Sequence, residues 1–161
     1  MTSSHPTSSP LPHRYLLALG SCVPPAEQRM VDVIDALDAD DALQVCGRSS
    51  LLHNPAVGGI THQPFVNAVV AVASSLSPEA VLRRGFALEA KFGRVRTQKN
   101  AARTLDVDVV WSSCSFAGSD DLVLPHPLAA ERLFVTEPAQ EAWADAQRRH
   151  PRWFAGTAPW A

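Results

Sequence analysis

A chain of 161 residues is long enough for one compact domain burying roughly two-thirds of its unfolded surface, and too short for a second domain of full size. With 46% apolar and 19% charged residues the composition is globular, which argues against a disordered or fibrous chain. The 14 Lys plus Arg against 16 Asp plus Glu give a net charge of −2, with no general electrostatic footprint for nucleic acid, and no run of about 20 apolar residues suits a membrane span.

Residues 1–13 are rich in Ser, Thr and Pro and lack both a basic segment and an apolar stretch, so they read as a disordered tail and as neither a secretory signal nor a transit peptide. Residues 14–161 are expected to form a single domain. It opens with an apolar strand, Tyr15–Leu19, stopped by Gly20-Ser21. Pro24-Pro25 starts a helix in which Met30, Val33, Ile34 and Leu37 recur at helical spacing until the Asp38–Asp41 cluster. A β-rich stretch follows at Leu43–Cys46.

Residues 53–64 carry Gly, Pro and Asn at loop density, and lead into an apolar strand at Phe65–Val72 whose conspicuous polar residue is Asn67. Ser77-Pro78-Glu79 combines an N-cap, a proline at the first helical position and a first-turn acid. The helix it starts is predicted to run to Phe92, with Gly93 as its cap. A strand then covers Thr104–Trp111. The order β-α-β-β-α-β predicts an α+β, ferredoxin-like core, a mainly antiparallel sheet with helices on one face. Residues 127–133 and 137–149 add a helical C-terminal extension, and Trp153–Ala161 reads as irregular. The odd, widely spaced cysteines Cys22, Cys46 and Cys114 match neither a disulfide framework nor a zinc motif, so reduced thiols in a cytoplasmic protein are expected.

The strand at Thr104–Trp111 carries the chemistry. Leu105, Val107, Val109 and Trp111 alternate with Thr104, Asp106, Asp108 and Val110, so the two acids share a face. At about 6.7 Å between their origins they repel by roughly 2.5 kcal/mol at an effective dielectric of about 20, and by about 0.6 kcal/mol in water. A divalent cation reverses that sign, and Mg²⁺ commonly takes one or two carboxylates completed by water and substrate phosphates. Arg94, Arg96, Lys99 and Arg103 supply positive charge just upstream. The stretch reads as a metal–polyphosphate site, against the plainer alternative of a solvated strand face.

Phe65-Val66-Asn67-Ala68, Glu89, Gly93-Arg94-Val95-Arg96, Arg103-Thr104-Leu105-Asp106-Val107-Asp108, Pro125-His126-Pro127 and Glu131-Arg132-x-Phe134-Val135 occur in that order. This set resembles the 6-hydroxymethyl-7,8-dihydropterin pyrophosphokinases of folate biosynthesis, from about Arg14 to Pro138. The resemblance implies transfer of the β,γ-diphosphate of ATP to the pterin hydroxymethyl oxygen with release of AMP, Asp106 and Asp108 holding two Mg²⁺ ions. It implies that Arg94 and Arg103 act in catalysis on the phosphates, with Glu89, Arg96, His126 and Arg132 also at the nucleotide. Phe65 and Phe134 would sandwich the pterin, Asn67 would meet its hydrogen-bonding edge, and main-chain groups of Asn54–Val57 would complete that edge. A monomer is expected, with no nucleic-acid or membrane partner.

Several positions depart from the family pattern. Gly20-Ser21-Cys22 replaces G-S-N, Ala101-Ala102 replaces G-P, and Leu52 and Asn54 stand where Tyr and Thr are common. Cys22, Ala101 and Ala102 motivate a rival, a homologue that binds nucleotide or pterin without turnover. A second rival, a ferredoxin-like RNA-binding module, lacks the paired aromatic motif on its strands.

Overall fold

The computed structural model describes residues 12–54, 65–93, 104–116, 118–119 and 122–161. Its centre is β1, His13–Ser21, buried along most of its length because both its neighbours and both layers of helix cover it. The first helix, α1 (Ala26–Asp38), leads to β2 (Gln44–Arg48), a three-residue β3 (Leu52–Asn54) and the ten-residue β4 (Phe65–Ser74). Then come α2 (Pro78–Lys91), β5 (Asp106–Ser112), a single 3-10 turn at Ala129–Glu131 and α3 (Leu133–Arg149).

The sheet order is β2-β4-β1-β5, with β3 also on β4, and every pair is antiparallel. This is the strand order of a ferredoxin-like βαββαβ sheet with one short strand added. β3 was expected to be loop at His53 and Asn54. It forms because the edge of β4 beyond β2 still offers backbone partners: Ser49 bridges the gap through bonds of 2.9 Å to the Val69 carbonyl and N–H, and Leu52 and Asn54 pair with Asn67 and Phe65. The remainder of that expected loop, residues 55–64, lies outside the described residues. β1 begins at His13, inside the segment expected to be a tail.

Local signals set the helices. In α2 the Ser77 hydroxyl accepts from the Ala80 N–H at 3.3 Å, and Gly93 follows the helix at φ +85°, a left-handed conformation that suits glycine. Period-two alternation in the strands and helical spacing in α1 then divide the core into two layers. Leu17, Leu19, Val66, Val70, Val107 and Val109 meet Met30, Val33, Ile34, Val81 and Leu82 of α1 and α2. Leu16, Val69, Ala71 and Val110 meet Val135, Ala139, Ala142, Trp143 and Ala146 of α3 on the other side. The core helices α1 and α2 therefore cover one face, as expected, and the C-terminal α3 covers the other.

α3 is continuous from Leu133, where helical stretches at 127–133 and 137–149 were expected, and only the turn at Ala129–Glu131 precedes it. Pro138 lacks the N–H that would bond the Phe134 carbonyl. Val135 and Ala139, on either side of that defect, are buried against the sheet and hold the first turn in place. A second departure concerns Trp111, expected beside Val107 and Val109. The β1–β5 register shifts at Leu16/Leu17, so Val110 and Trp111 both pack in the α3 layer, where Trp111 meets Trp143 edge-on with ring centroids 5.4 Å apart.

α3 is fastened to the edge strand β2. The Arg48 N–H donates to Asp145 at 3.0 Å, and the Ser50 N–H donates to Glu141 at 2.8 Å. Burial alone would raise the Asp145 pKa, but the Arg48 N–H and the guanidinium groups of Arg148 and Arg149 outweigh it and hold the carboxyl below its usual value. A depressed folded-state pKa contributes stability above the unfolded value of about 3.9 and loses it as pH falls through the folded value. Asp145→Asn should therefore lower the melting temperature at pH 7, and the difference should shrink as pH is taken below about 4. Thermal melts across that range check it.

Burial pushes the Cys46 thiol up to about 11, so at neutral pH it is a packing group and not a nucleophile. Among the described residues no helix is long and apolar enough to cross a membrane.

Candidate functional site

On the face covered by α3, the central strand β1 tapers in side-chain size toward one end. β1 presents Leu16, then Ala18, then Gly20; their partners on β4 are Ala71, Val69 and Asn67, and Ala18 and Gly20 face Asp108 and Asp106 on β5. The taper opens a cavity of about 420 Å³ between the sheet and the start of α3. Its floor includes Ala18, Gly20, Asn67, Asp106 and Asp108. Asn54, Phe65, His126, Arg132 and Phe134 are also in its lining. Eight of the residues that the sequence singled out thus meet in one place.

Gly20 is the residue the sequence reading missed, having taken it only as a strand stop. A Cβ there would stand 3.0 Å from Asn67 Oδ1, so the absence of a side chain gives the Asn67 amide its room across the β1–β4 pair. Asn54, opposite Phe65, projects to the same face, and its buried Nδ2 has no hydrogen-bond partner among the described residues. Two amides and the Phe65 ring are therefore gathered at one end, and the Phe134 ring lines the same cavity, a lining suited to a flat heterocycle with donors and acceptors on its edge.

At the other side of the floor, Asp106 is half-buried and Asp108 exposed, both on the α3-facing side of β5. The backbone N–H of His126 donates to the Val110 carbonyl at 3.0 Å, which anchors the following segment to β5. Its Nδ1 accepts from the Leu128 N–H at 3.2 Å, which in the neutral ring leaves Nε2 carrying the proton and able to donate. The Arg132 guanidinium lies 5.7 Å from the Phe134 ring centroid, a cation–π contact that places a positive charge at the cavity rim.

Glu89 is not in this lining. It is buried, and its Oε1 accepts from the Val107 N–H at 3.0 Å, behind the strand that carries the two acids. The resemblance put Glu89 at the nucleotide; in the structure it is buried against β5, outside the lining of this cavity. Val57, Arg94, Arg96, Lys99 and Arg103 lie outside the described residues.

Two carboxylates on one face suit Mg²⁺, which completes its shell with water and phosphate oxygens and does not need an all-protein cage. Among the described residues no group of three or more His, Cys, Asp or Glu could hold an ion.

Removal of the Phe134 ring should separate the two ends of the cavity. Phe134→Ala is expected to weaken binding of a pterin by about tenfold while changing nucleotide affinity by less than about threefold, because stacking and apolar burial act on the flat ring alone. Calorimetry with each ligand separately would check this, and equal losses would place Phe134 in general packing.

Comparison with known proteins matches residues 16–144 to the family described as 7,8-dihydro-6-hydroxymethylpterin-pyrophosphokinase. The chain is 32% identical over 132 residues to the 2-amino-4-hydroxy-6-hydroxymethyldihydropteridine pyrophosphokinase of Methylorubrum extorquens, covering 82% of this chain and 84% of that protein. It is 33% identical over 123 residues to the enzyme of the same name from Campylobacter jejuni, covering 76% and 78%. The Bacillus subtilis enzyme of that name is 30% identical over 125 residues, covering 78% and 75%. With residues 16–144 matched by the family model and relatives more than 30% identical over most of the chain, the chain belongs to the 7,8-dihydro-6-hydroxymethylpterin-pyrophosphokinase family.

Proposed function

We propose that this chain transfers the β,γ-diphosphate of ATP to the hydroxymethyl oxygen of 6-hydroxymethyl-7,8-dihydropterin and releases AMP, in folate biosynthesis. One observation carries the reading: a single cavity joins an aromatic and amide end to an end bearing two carboxylates and a histidine donor. The first end suits the pterin, with Phe65 and Phe134 on its faces and Asn67 and the Asn54–Val57 segment at its edge. The second suits the polyphosphate.

In the reaction the pterin oxygen forms a bond to the β-phosphorus while the bond from that phosphorus to the α,β-bridging oxygen breaks. AMP leaves with the bridging oxygen, and the hydroxyl proton passes to solvent. Asp106 and Asp108 would hold Mg²⁺, two ions in this reading, which supplies positive charge to the polyphosphate. Arg94 and Arg103 would neutralise charge on the departing phosphate, Arg96 and Arg132 would bind the nucleotide, and His126 would donate from Nε2 to a phosphate oxygen. Among the described residues lining the cavity, no side chain is an evident strong base. The protein's part is therefore orientation and electrostatic stabilisation, the two effects on which phosphoryl transfer chiefly depends.

The protein is expected to act as a cytoplasmic monomer. The non-catalytic alternative rests on Cys22, Ala101 and Ala102; Cys22 is buried and does not line the cavity, and Ala101 and Ala102 lie outside the described residues. Incubation with Mg²⁺, ATP and 6-hydroxymethyl-7,8-dihydropterin should give a pterin heavier by two phosphoryl groups in mass spectrometry. Tight binding of both ligands with no such product would favour the alternative.

A further inference from the structure

β5 is an edge strand of the sheet among the described residues, so half of its backbone N–H groups point away from β1 and need partners elsewhere. Val107 sits between Asp106 and Asp108, and its N–H is one of these: it donates outward to Glu89 Oε1 at 3.0 Å. Glu89 is 2% exposed, and one turn earlier in α2 is Gly85. A Cβ on Gly85 would stand 3.0 Å from Val107 Cγ1 and 3.4 Å from Val107 Cβ. Thus α2 grips one residue twice, Gly85 by admitting its side chain and Glu89 by holding its N–H. That residue sets how far apart, and at what angle, the two acids stand on the opposite face.

We infer that Glu89 is a positioning residue for the Asp106/Asp108 pair, acting through the Val107 backbone and not by contact with nucleotide or metal. The inference rests on the proposed role of the two acids in holding divalent metal. Toward the Val107 N–H the carboxyl oxygen serves as an acceptor, a part that the amide oxygen of Glu89→Gln can take, whereas Glu89→Leu keeps the volume and leaves the Val107 N–H buried without its acceptor. Partners that orient metal ligands typically change affinity or activity by about 10–100-fold when lost.

The test measures Mn²⁺ binding by electron paramagnetic resonance in the presence of a non-hydrolysable ATP analogue, together with turnover, melting temperature and pterin affinity. Glu89→Leu should weaken Mn²⁺ binding and raise the half-saturating Mg²⁺ concentration by about tenfold or more, with kcat reduced and pterin affinity within about twofold of the parent. Glu89→Gln should stay within about threefold on every measure. Gly85→Ala, which displaces Val107 from the same side without touching a carboxyl group, should weaken Mn²⁺ binding in the same direction. If Glu89→Leu does not fold, Gly85→Ala carries the test by itself. Unchanged Mn²⁺ affinity in the folded variants would overturn the inference, as would a Glu89→Gln variant as damaged as Glu89→Leu, since charge and not position would then matter. Failure of the parent protein to make product would instead count against the proposed reaction, which the Mn²⁺ comparison does not require.

Discussion

Replacing either Asp106 or Asp108 with asparagine is expected to lower turnover by about 10²–10³-fold or more while leaving the fold intact. Asparagine keeps the shape and removes the charge that would hold metal at the polyphosphate. Both side chains are on the cavity floor and neither is fully buried, so no core contact is lost. Removing one charge relieves the mutual repulsion of the pair, between about 0.6 and 2.5 kcal/mol depending on screening, while both acids have other partners whose weakening opposes that gain, so the melting temperature of the apo protein should change little. Melting temperature and kcat measured on the same preparation separate the two effects. Near-parental turnover at ordinary Mg²⁺ concentration in either variant would remove the acids from the reaction.

The largest effect on stability should come from Gly47. A Cβ at this position would lie 2.3 Å from the Ala142 carbonyl oxygen and 2.4 Å from the Ala146 nitrogen, both backbone atoms of α3. A flexible side chain could move aside, but a helix backbone packed on Leu16, Val69 and Ala71 cannot do so without separating that layer. Gly47→Ala should therefore destabilise by roughly 3 kcal/mol, or about 6–12 °C in melting temperature for a domain of this size. Because α3 also supplies Phe134 and Val135 to the cavity, pterin affinity should fall together with stability. A fall of under about 2 °C would mean that α3 is not seated on β2 as closely as the structure places it.

What the sequence disclosed, and what it concealed, follows from how local each signal is. Ser77-Pro78-Glu79 and Gly93 mark the ends of α2 because capping depends on adjacent residues alone, and the observed helix obeys them. Alternation from Leu105 to Val109 put Asp106 and Asp108 on one face, again a local property. It failed at Trp111 because the bulge opposite Leu16 and Leu17 depends on β1, which is remote in sequence. β3 and the first turn of α3 were missed for the same reason: the spare edge of β4 holds one and burial of Val135 and Ala139 holds the other, against a Gly/Pro-rich context and an internal proline. Gly20 and Glu89 show the limit most clearly. One makes room for an amide on the neighbouring strand, and the other fastens a strand from behind, and neither role leaves a pattern in the surrounding residues.

The central claim is the identity of the phosphorus that the pterin oxygen attacks, and ATP labelled only at the β-phosphate tests it most directly. Incubated with the protein, Mg²⁺ and 6-hydroxymethyl-7,8-dihydropterin, the label should pass wholly to the pterin, leaving unlabelled AMP in equal amount. Label retained in ADP beside a monophosphorylated pterin would contradict the account.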